Sequence, residues 1–327
     1  MVNLHVVKKP KGILNMGLYV KELVKSYGEK VVVDHLSFSM EKPGVYALLG
    51  TNGAGKTTSI RMTLGMLVRD SGEVLFNGEP LSTERVNVGY LAEERGLYPK
   101  ITLMDQMLYF ASLKKVPKKE AEKRIKYWAE RLKLEEYFYP QPIGKKKPKP
   151  FRAEQLSKGN QQKVQLMATL ISDPEIIILD EPLSGLDPVN TNLFRDIIHE
   201  EAAKNKYIIM SSHQMSTIEE FCSDLTILNR GKTVLQGNLN EIKKSYGRVN
   251  LFVKSDDDIS SYVEKLGLNV TEVTPEYTKI KLSSESQANE LLGELVKNNV
   301  SVVRFELAEP SLHEIFVEKV GQVNEEE

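Results

Sequence analysis

Residues 50–57, GTNGAGKT, restrict the folds open to this chain more than any other stretch of its 327 residues. They match G-x-x-x-x-G-K-[ST], with the apolar run VYALLG leading in and the helical pattern TTSIRMTLGML leading out. Such a match arises by chance in on the order of one chain in a hundred, and the flanking strand and helix make it rarer. The residue types follow from chemistry. Gly53 and Gly55 let backbone N–H groups curl round phosphate oxygens where a side chain would obstruct, and the helix start adds partial positive charge. Lys56 reaches the β- and γ-phosphates, and the Thr57 hydroxyl suits Mg²⁺. Gly50, Thr51, Asn52, Ala54 and Thr58 complete the nucleotide-binding loop.

A strand–loop–helix of this kind needs a parallel sheet around it, and two apolar runs supply one. EIIILD (175–180) reads as a strand buried on both faces. It delivers Asp180 at its carboxyl end, where ligands bind in such sheets. YIIMSSH (207–213) is a second such run. Asp180 is therefore a candidate Mg²⁺ ligand acting through water, and Glu181 is placed to polarise an attacking water. Residues 103–137 read as helical, with Ile125, Trp128 and Leu132 on one face, which puts Trp128 in a core. A further helix is expected from about Ser157 to Ile171.

The character changes near Tyr246. From there a βαββαβ order, with an added helix opened by Pro310, fits a small ferredoxin-like α+β domain. Ser284 and Gln287 form a candidate capping box within it. The expected layout is an extension over 1–15 (or a start at Met16), an α/β nucleotide-binding domain over 16–245, an accessory domain over 246–320 and a frayed acidic tail over 321–327. The net charge of −1 offers no basic field for nucleic acid. Cys222 is the sole cysteine, which precludes an internal disulfide and suits a reducing compartment. No apolar run approaches the roughly 18 residues of a membrane helix. The basic cluster Lys145, Lys146, Lys147 and Lys149 reads as a solvated loop in preference to a lipid-facing patch.

With these motifs in order, the chain resembles the ATP-binding subunits of ABC transporters over nearly all of residues 16–245. LSKGNQQK (156–163) stands at the family's LSGGQ signature, SGLD (184–187) at its D-loop, and SSHQ puts His213 at its switch histidine. Tyr27, in KSYG, stands at the aromatic residue that stacks on adenine. The resemblance implies a P-loop ABC ATPase core with antiparallel β and helical subdomains, using ATP and Mg²⁺. In the family, the signature of one subunit completes the ATP site of another, head to tail. Ser157 and Gly159 would then reach the γ-phosphate held by Lys56 of the partner subunit, and Asn160 and Asp187 of the D-loop are further candidate nucleotide-binding residues. Two departures stand out. Lys158 and Asn160 replace the middle Gly and the final Gln of the signature. Glu93, in VGYLAEERGLYP, replaces a Gln that touches Mg²⁺ and couples to the membrane subunit, and its carboxylate adds negative charge beside the triphosphate.

The resemblance implies an ATPase subunit at the cytoplasmic face of the membrane, working with multi-spanning permease subunits as an ATP-dependent dimer, a homodimer being simplest. The EERGLYP segment and the end EPSLHEIFVEKVG resemble ATPases of sodium-extrusion and drug-resistance exporters. The alternative is a soluble ABC ATPase acting on ribosomes or DNA. Against it stand the one phosphate loop, where ribosome-acting members carry two, and the lack of heptads in the about 100 residues between loop and signature. A small-molecule kinase, a third class, has no need of a signature, D-loop or switch histidine.

Overall fold

The computed structural model describes residues 16–94, 96–142 and 149–326; the 1–15 extension and Lys145, Lys146 and Lys147 lie outside them. The first unit begins with β1 (Leu18–Tyr27), β2 (Lys30–Met40), β3 (Gly44–Gly50), α1 (Lys56–Thr63), β4 (Ser71–Phe76), β5 (Glu79–Pro80) and β6 (Val88–Leu91). Helices α2 (Leu103–Leu113), α3 (Lys118–Arg131), α4 (Glu135–Phe138) and α5 (Lys158–Leu170) follow. Then come β7 (Ile176–Asp180), α6 (Pro188–Ala203), β8 (Tyr207–Ser212), the single turn α7 (Met215–Ile218), β9 (Asp224–Asn229) and β10 (Lys232–Asn238).

Two sheets frame this unit. One is antiparallel, in the order β2-β1-β4-β5; the other has the order β10-β9-β3-β8-β7-β6. The ladders joining β9, β3, β8, β7 and β6 are all parallel. Helix α1 lies in the core they share. Ile60 and Met62 pack in one cluster with Leu18, Leu36 and Phe38 of the antiparallel sheet and Leu48, Ile178 and Ile209 of the parallel one. β7 is buried at every position, as its unbroken apolar run requires. The expected helical stretch 103–137 divides into three helices. Lys115 (φ 57°) and Lys133 (φ 56°) take left-handed conformations just beyond α2 and α3, a conformation that ends an α-helix. Ile125, Trp128 and Leu132 are buried as expected.

The two compact units divide between Val234 and Leu235, upstream of the change in pattern near Tyr246. The second unit therefore also contains α8 (Leu239–Tyr246), a helix that hydrophobic patterning alone left with the first. After it come β11 (Asn250–Ser255), α9 (Ser260–Lys265), β12 (Asn269–Val273), β13 (Thr278–Lys281), α10 (Glu285–Lys297), β14 (Val302–Ala308) and α11 (Leu312–Glu326). The sheet order is β12-β13-β11-β14. Its core joins Leu251, Val253 and Ile280 to Val263 of α9 and Leu291 and Leu295 of α10.

Three local expectations need correction. Ser284 does not cap α10: its hydroxyl meets Ser286, and Gln287 Oε1 accepts instead from the Ser283 N–H at 2.8 Å. A reciprocal box forms at α11, where Ser311 Oγ accepts from the Glu314 N–H and Glu314 Oε2 accepts from the Ser311 N–H at 2.9 Å. That helix starts at Leu312, after Pro310, and its backbone runs on through the residues expected to fray.

Glu314 also receives Lys279 Nζ at 2.8 Å and Asn250 Nδ2 at 3.1 Å. Burial raises its pKa, but the bonds from Lys279 and Ser311 outweigh it and bring the carboxyl from an ordinary 4.5 to about 2. The folded value is the lower one, so this stabilisation is complete above about pH 4.5 and is lost as pH falls toward 2. Glu314→Gln is expected to destabilise the accessory unit by about 1 kcal/mol at neutral pH, the side chain being partly exposed. It should also flatten the acid dependence of the denaturation midpoint in that window. An unaltered acid profile would remove Glu314 as its source.

Candidate functional site

The site starts where β3 ends. Gly50 has φ 150° and Gly55, the residue before α1, has φ 103°. A Cβ at Gly50 would stand 2.4 Å from the Leu228 carbonyl oxygen, and one at Gly55 would stand 2.6 Å from that of Val32. The loop is thus wedged between β9 and β2, and glycine is required at both places. Lys56 is 6% exposed, and its Nζ donates to the carbonyls of Gly50 (2.9 Å) and Thr51 (3.3 Å). It also pairs with Glu181 Oε1 at 3.3 Å. A cleft of 260 Å³ opens here, lined by Asn52, Gly53, Gly55, Lys56, Thr57, Thr58, Glu93 and Glu181, with Val32 at its side.

β7 brings the two carboxylates. Asp180 is fully buried. Its Oδ1 accepts from Ser211 Oγ, while its buried Oδ2 has no hydrogen-bond partner among the described residues. Burial is the main reason its pKa is raised, and neighbouring Glu181 adds to this; the Ser211 and Thr57 hydroxyls and Lys56 pull the other way. An orphaned carboxylate oxygen beside a threonine hydroxyl and a lysine fits a divalent cation shared with phosphate oxygens. Among the described residues no group of three His, Cys, Asp or Glu side chains gathers to hold a metal unaided. Glu181 leaves the strand with φ 50°, a left-handed conformation uncommon for a side-chain-bearing residue. Its Oε2 meets His213 Nδ1 at 2.8 Å, so His213 at the end of β8 holds the carboxylate from the side opposite Lys56.

Tyr27 ends β1 and is 54% exposed, with Lys25 Nζ over its ring, 5.5 Å from the centroid. Ser157, Gly159, Asn160 and Asp187 are not among the residues lining the cleft. Ser157 caps α5, accepting from the Asn160 N–H at 3.3 Å, and is exposed. The Asn160 amide donates to the Tyr137 hydroxyl at 3.0 Å, so it is engaged within its own chain. Asp187 caps α6 through the Asn190 N–H, and bonds from Asn190 hold its carboxyl below the usual range. A Cβ on Gly159 would contact Leu186 and Asn190, so signature and D-loop pack together. One residue escaped sequence reasoning: Ser211, whose hydroxyl joins Asp180 to the Glu181 N–H (3.0 Å). It lay within the quoted SSHQ, where no motif marks it.

Comparison with known proteins agrees with this geometry. The family model described as ABC transporter matches residues 33–184, and that of the ATP-binding protein DrrA1-3-like C-terminal domain matches residues 237–320. The chain is 40% identical over 309 residues to the uncharacterized ABC transporter ATP-binding protein YhaQ of Bacillus subtilis, covering 94% of this chain and 100% of that protein. It is 34% identical to the Nod factor export ATP-binding protein I of Ralstonia nicotianae, over 69% of this chain and 68% of that protein. A solved structure described as the ATP binding subunit of an ABC transporter superposes with a TM-score of 0.62 at 28% identity, covering 71% of this chain and 94% of that one.

Proposed function

Because the chain belongs to the ATP-binding subunits of ABC transporters, and is thereby an ATPase, we propose that two copies close on ATP to drive export through separate multi-spanning membrane subunits. The observation that carries the two-copy arrangement is the split of the site. Lys56, Thr57 and Glu181 line one cleft, with the buried Asp180 next to Glu181 at the end of β7, while Ser157 and Gly159 start a helix outside its lining. Two copies set head to tail supply each cleft with the signature it lacks. Export follows the relative named for Nod factor export. The relatives are named for transporters, which favours this reading over a ribosome- or DNA-acting ATPase.

In this reading the loop amides and Lys56 grip the β- and γ-phosphates, and Tyr27 stacks on the adenine. Thr57 and Asp180 would hold Mg²⁺, whose charge offsets that building on the phosphates. A phosphate oxygen competes with Glu181 for Lys56. Once that pair loosens, the Glu181 carboxylate takes the proton of an attacking water while His213 keeps it in place. Ser157 and Gly159 of the second copy close over the γ-phosphate, with the start of α5 adding its dipole. No helix among the described residues is long and apolar enough to cross a membrane. A groove of 310 Å³ between β6, α2 and α5, lined by Leu91, Leu97, Phe110 and Leu113, suits a docking segment of such a subunit. In this reading the protein works at the cytoplasmic face of the membrane, held there by its partner.

The test is co-purification from native membranes in mild detergent. A multi-spanning protein in stoichiometric amount is expected, whereas recovery with ribosomes or DNA alone would overturn the transport reading. Glu93 lines the cleft on the side of β6 and is exposed. Glu93→Gln is expected to shift the Mg²⁺ concentration that half-saturates hydrolysis. An unchanged Mg²⁺ requirement would exclude direct coordination by Glu93.

A further inference from the structure

We propose that Ser211 is the positioning residue of the catalytic end, one buried hydroxyl that orients both Asp180 and Glu181. The proposal rests on the roles given above to those two acids. Ser211 faces Asp180 as the last pair of the parallel β7–β8 ladder and has no exposed surface. Its hydroxyl donates to Asp180 Oδ1, and the same oxygen accepts the Glu181 N–H at 3.0 Å.

These two bonds solve one problem. Regular ladder pairing stops at Asp180, and the next residue turns into a left-handed conformation. That leaves the buried Glu181 amide without a strand partner and Asp180 with two buried oxygens to satisfy. A single hydroxyl serves the amide and one oxygen. Among the described residues Oδ2 of Asp180 then remains the oxygen without a hydrogen-bond partner, and so the one that would face a bound metal ion or its water. The Glu181 backbone is anchored at the point from which its carboxylate reaches Lys56 and His213. Alanine keeps the Cβ and removes only the hydroxyl, with its donor and its acceptor, and Ser211→Thr, which keeps the hydroxyl, separates hydrogen bonding from packing.

The experiment compares Ser211→Ala and Ser211→Thr in the full chain. It measures binding of a fluorescent ATP analogue without metal, the Mg²⁺ dependence of that binding, and kcat with KM. Ser211→Ala is expected to bind the metal-free analogue as the parent does, because Lys56 and the loop are untouched. Its half-saturating Mg²⁺ should rise, and its kcat fall, by about 10- to 100-fold, the usual effect of removing a group that orients a metal ligand. Ser211→Thr keeps the hydroxyl and should recover most of both. Unchanged Mg²⁺ dependence and kcat in Ser211→Ala overturn the proposal, as does equal impairment of the two variants, which would make packing the determinant. Loss of metal-free binding would instead count against the roles given to Asp180 and Glu181, on which it rests. Should Ser211→Ala not fold, the near-isosteric Ser211→Cys, a weak hydrogen-bonding group, takes its place. Parent-like turnover there overturns the proposal, and loss confined to Mg²⁺ dependence and kcat supports it.

Discussion

Glu181→Gln is expected to bind ATP at least as tightly as the parent while turnover falls by about 10²- to 10⁴-fold, the usual contribution of a positioned base. Gln has nearly the same shape and can still meet His213 Nδ1, 2.8 Å from the native carboxylate. It cannot take a proton from water, and it offers no charge to Lys56, which now pairs with Glu181 at 3.3 Å. Phosphate oxygens therefore win Lys56 with less competition, and the closed, ATP-bound dimer should accumulate because its only exit is slow. Light scattering at saturating ATP and Mg²⁺ gives the result directly. A variant that stays monomeric while binding ATP would break the two-copy model, and one that hydrolyses at the parental rate would remove Glu181 as the base.

Ser157→Arg should abolish hydrolysis and leave the ATP affinity of a single chain unchanged. Ser157 does not line its own cleft, so the bulk and charge of arginine can act only where the start of α5 meets a partner's nucleotide. The same change removes a helix cap, because Ser157 Oγ accepts the Asn160 N–H. That loss amounts to about 1 kcal/mol, or a fall in Tm of about 2–4 °C for a unit of this size. Ser157→Ala loses the cap without adding bulk and so separates the two effects. Mixing Ser157→Arg with Lys56→Ala chains gives a sharper reading. The intact loop of the first and the intact signature of the second assemble one good site, so activity should reappear on mixing. If mixing restores nothing and single-chain affinity falls tenfold, Ser157 belongs to its own cleft.

Much of the site was legible because its chemistry is local. A phosphate loop needs left-handed backbone, open amides and a lysine within a few residues, and all of these stand in 50–57. The acids follow an apolar strand directly, so chain order alone places them at a sheet end. The βαββαβ order of the second unit was likewise readable from alternating strand and helix periods. Where sequence reasoning failed, the deciding partner was distant. Both 284–287 and 311–314 hold residues able to form a capping box. Only the second forms one, and its glutamate is also gripped by Lys279 and Asn250, which strands bring from elsewhere. The division at Val234 was hidden because α8 has an ordinary helical pattern, and which unit a helix joins depends on what it packs against.

The sequence by itself determined that this chain has a nucleotide-binding loop on a parallel sheet, with two adjacent acids, Asp180 and Glu181, at the end of a neighbouring strand. Those properties reside in the types and spacing of residues close along the chain. Only the tertiary structure decided which groups hold the two acids. Ser211 lies 31 residues beyond Asp180, and nothing in its neighbourhood distinguishes it from any strand serine. It meets Asp180 because β7 and β8 pair in parallel with one particular register, and register is set by the burial of whole strands and not by any single residue.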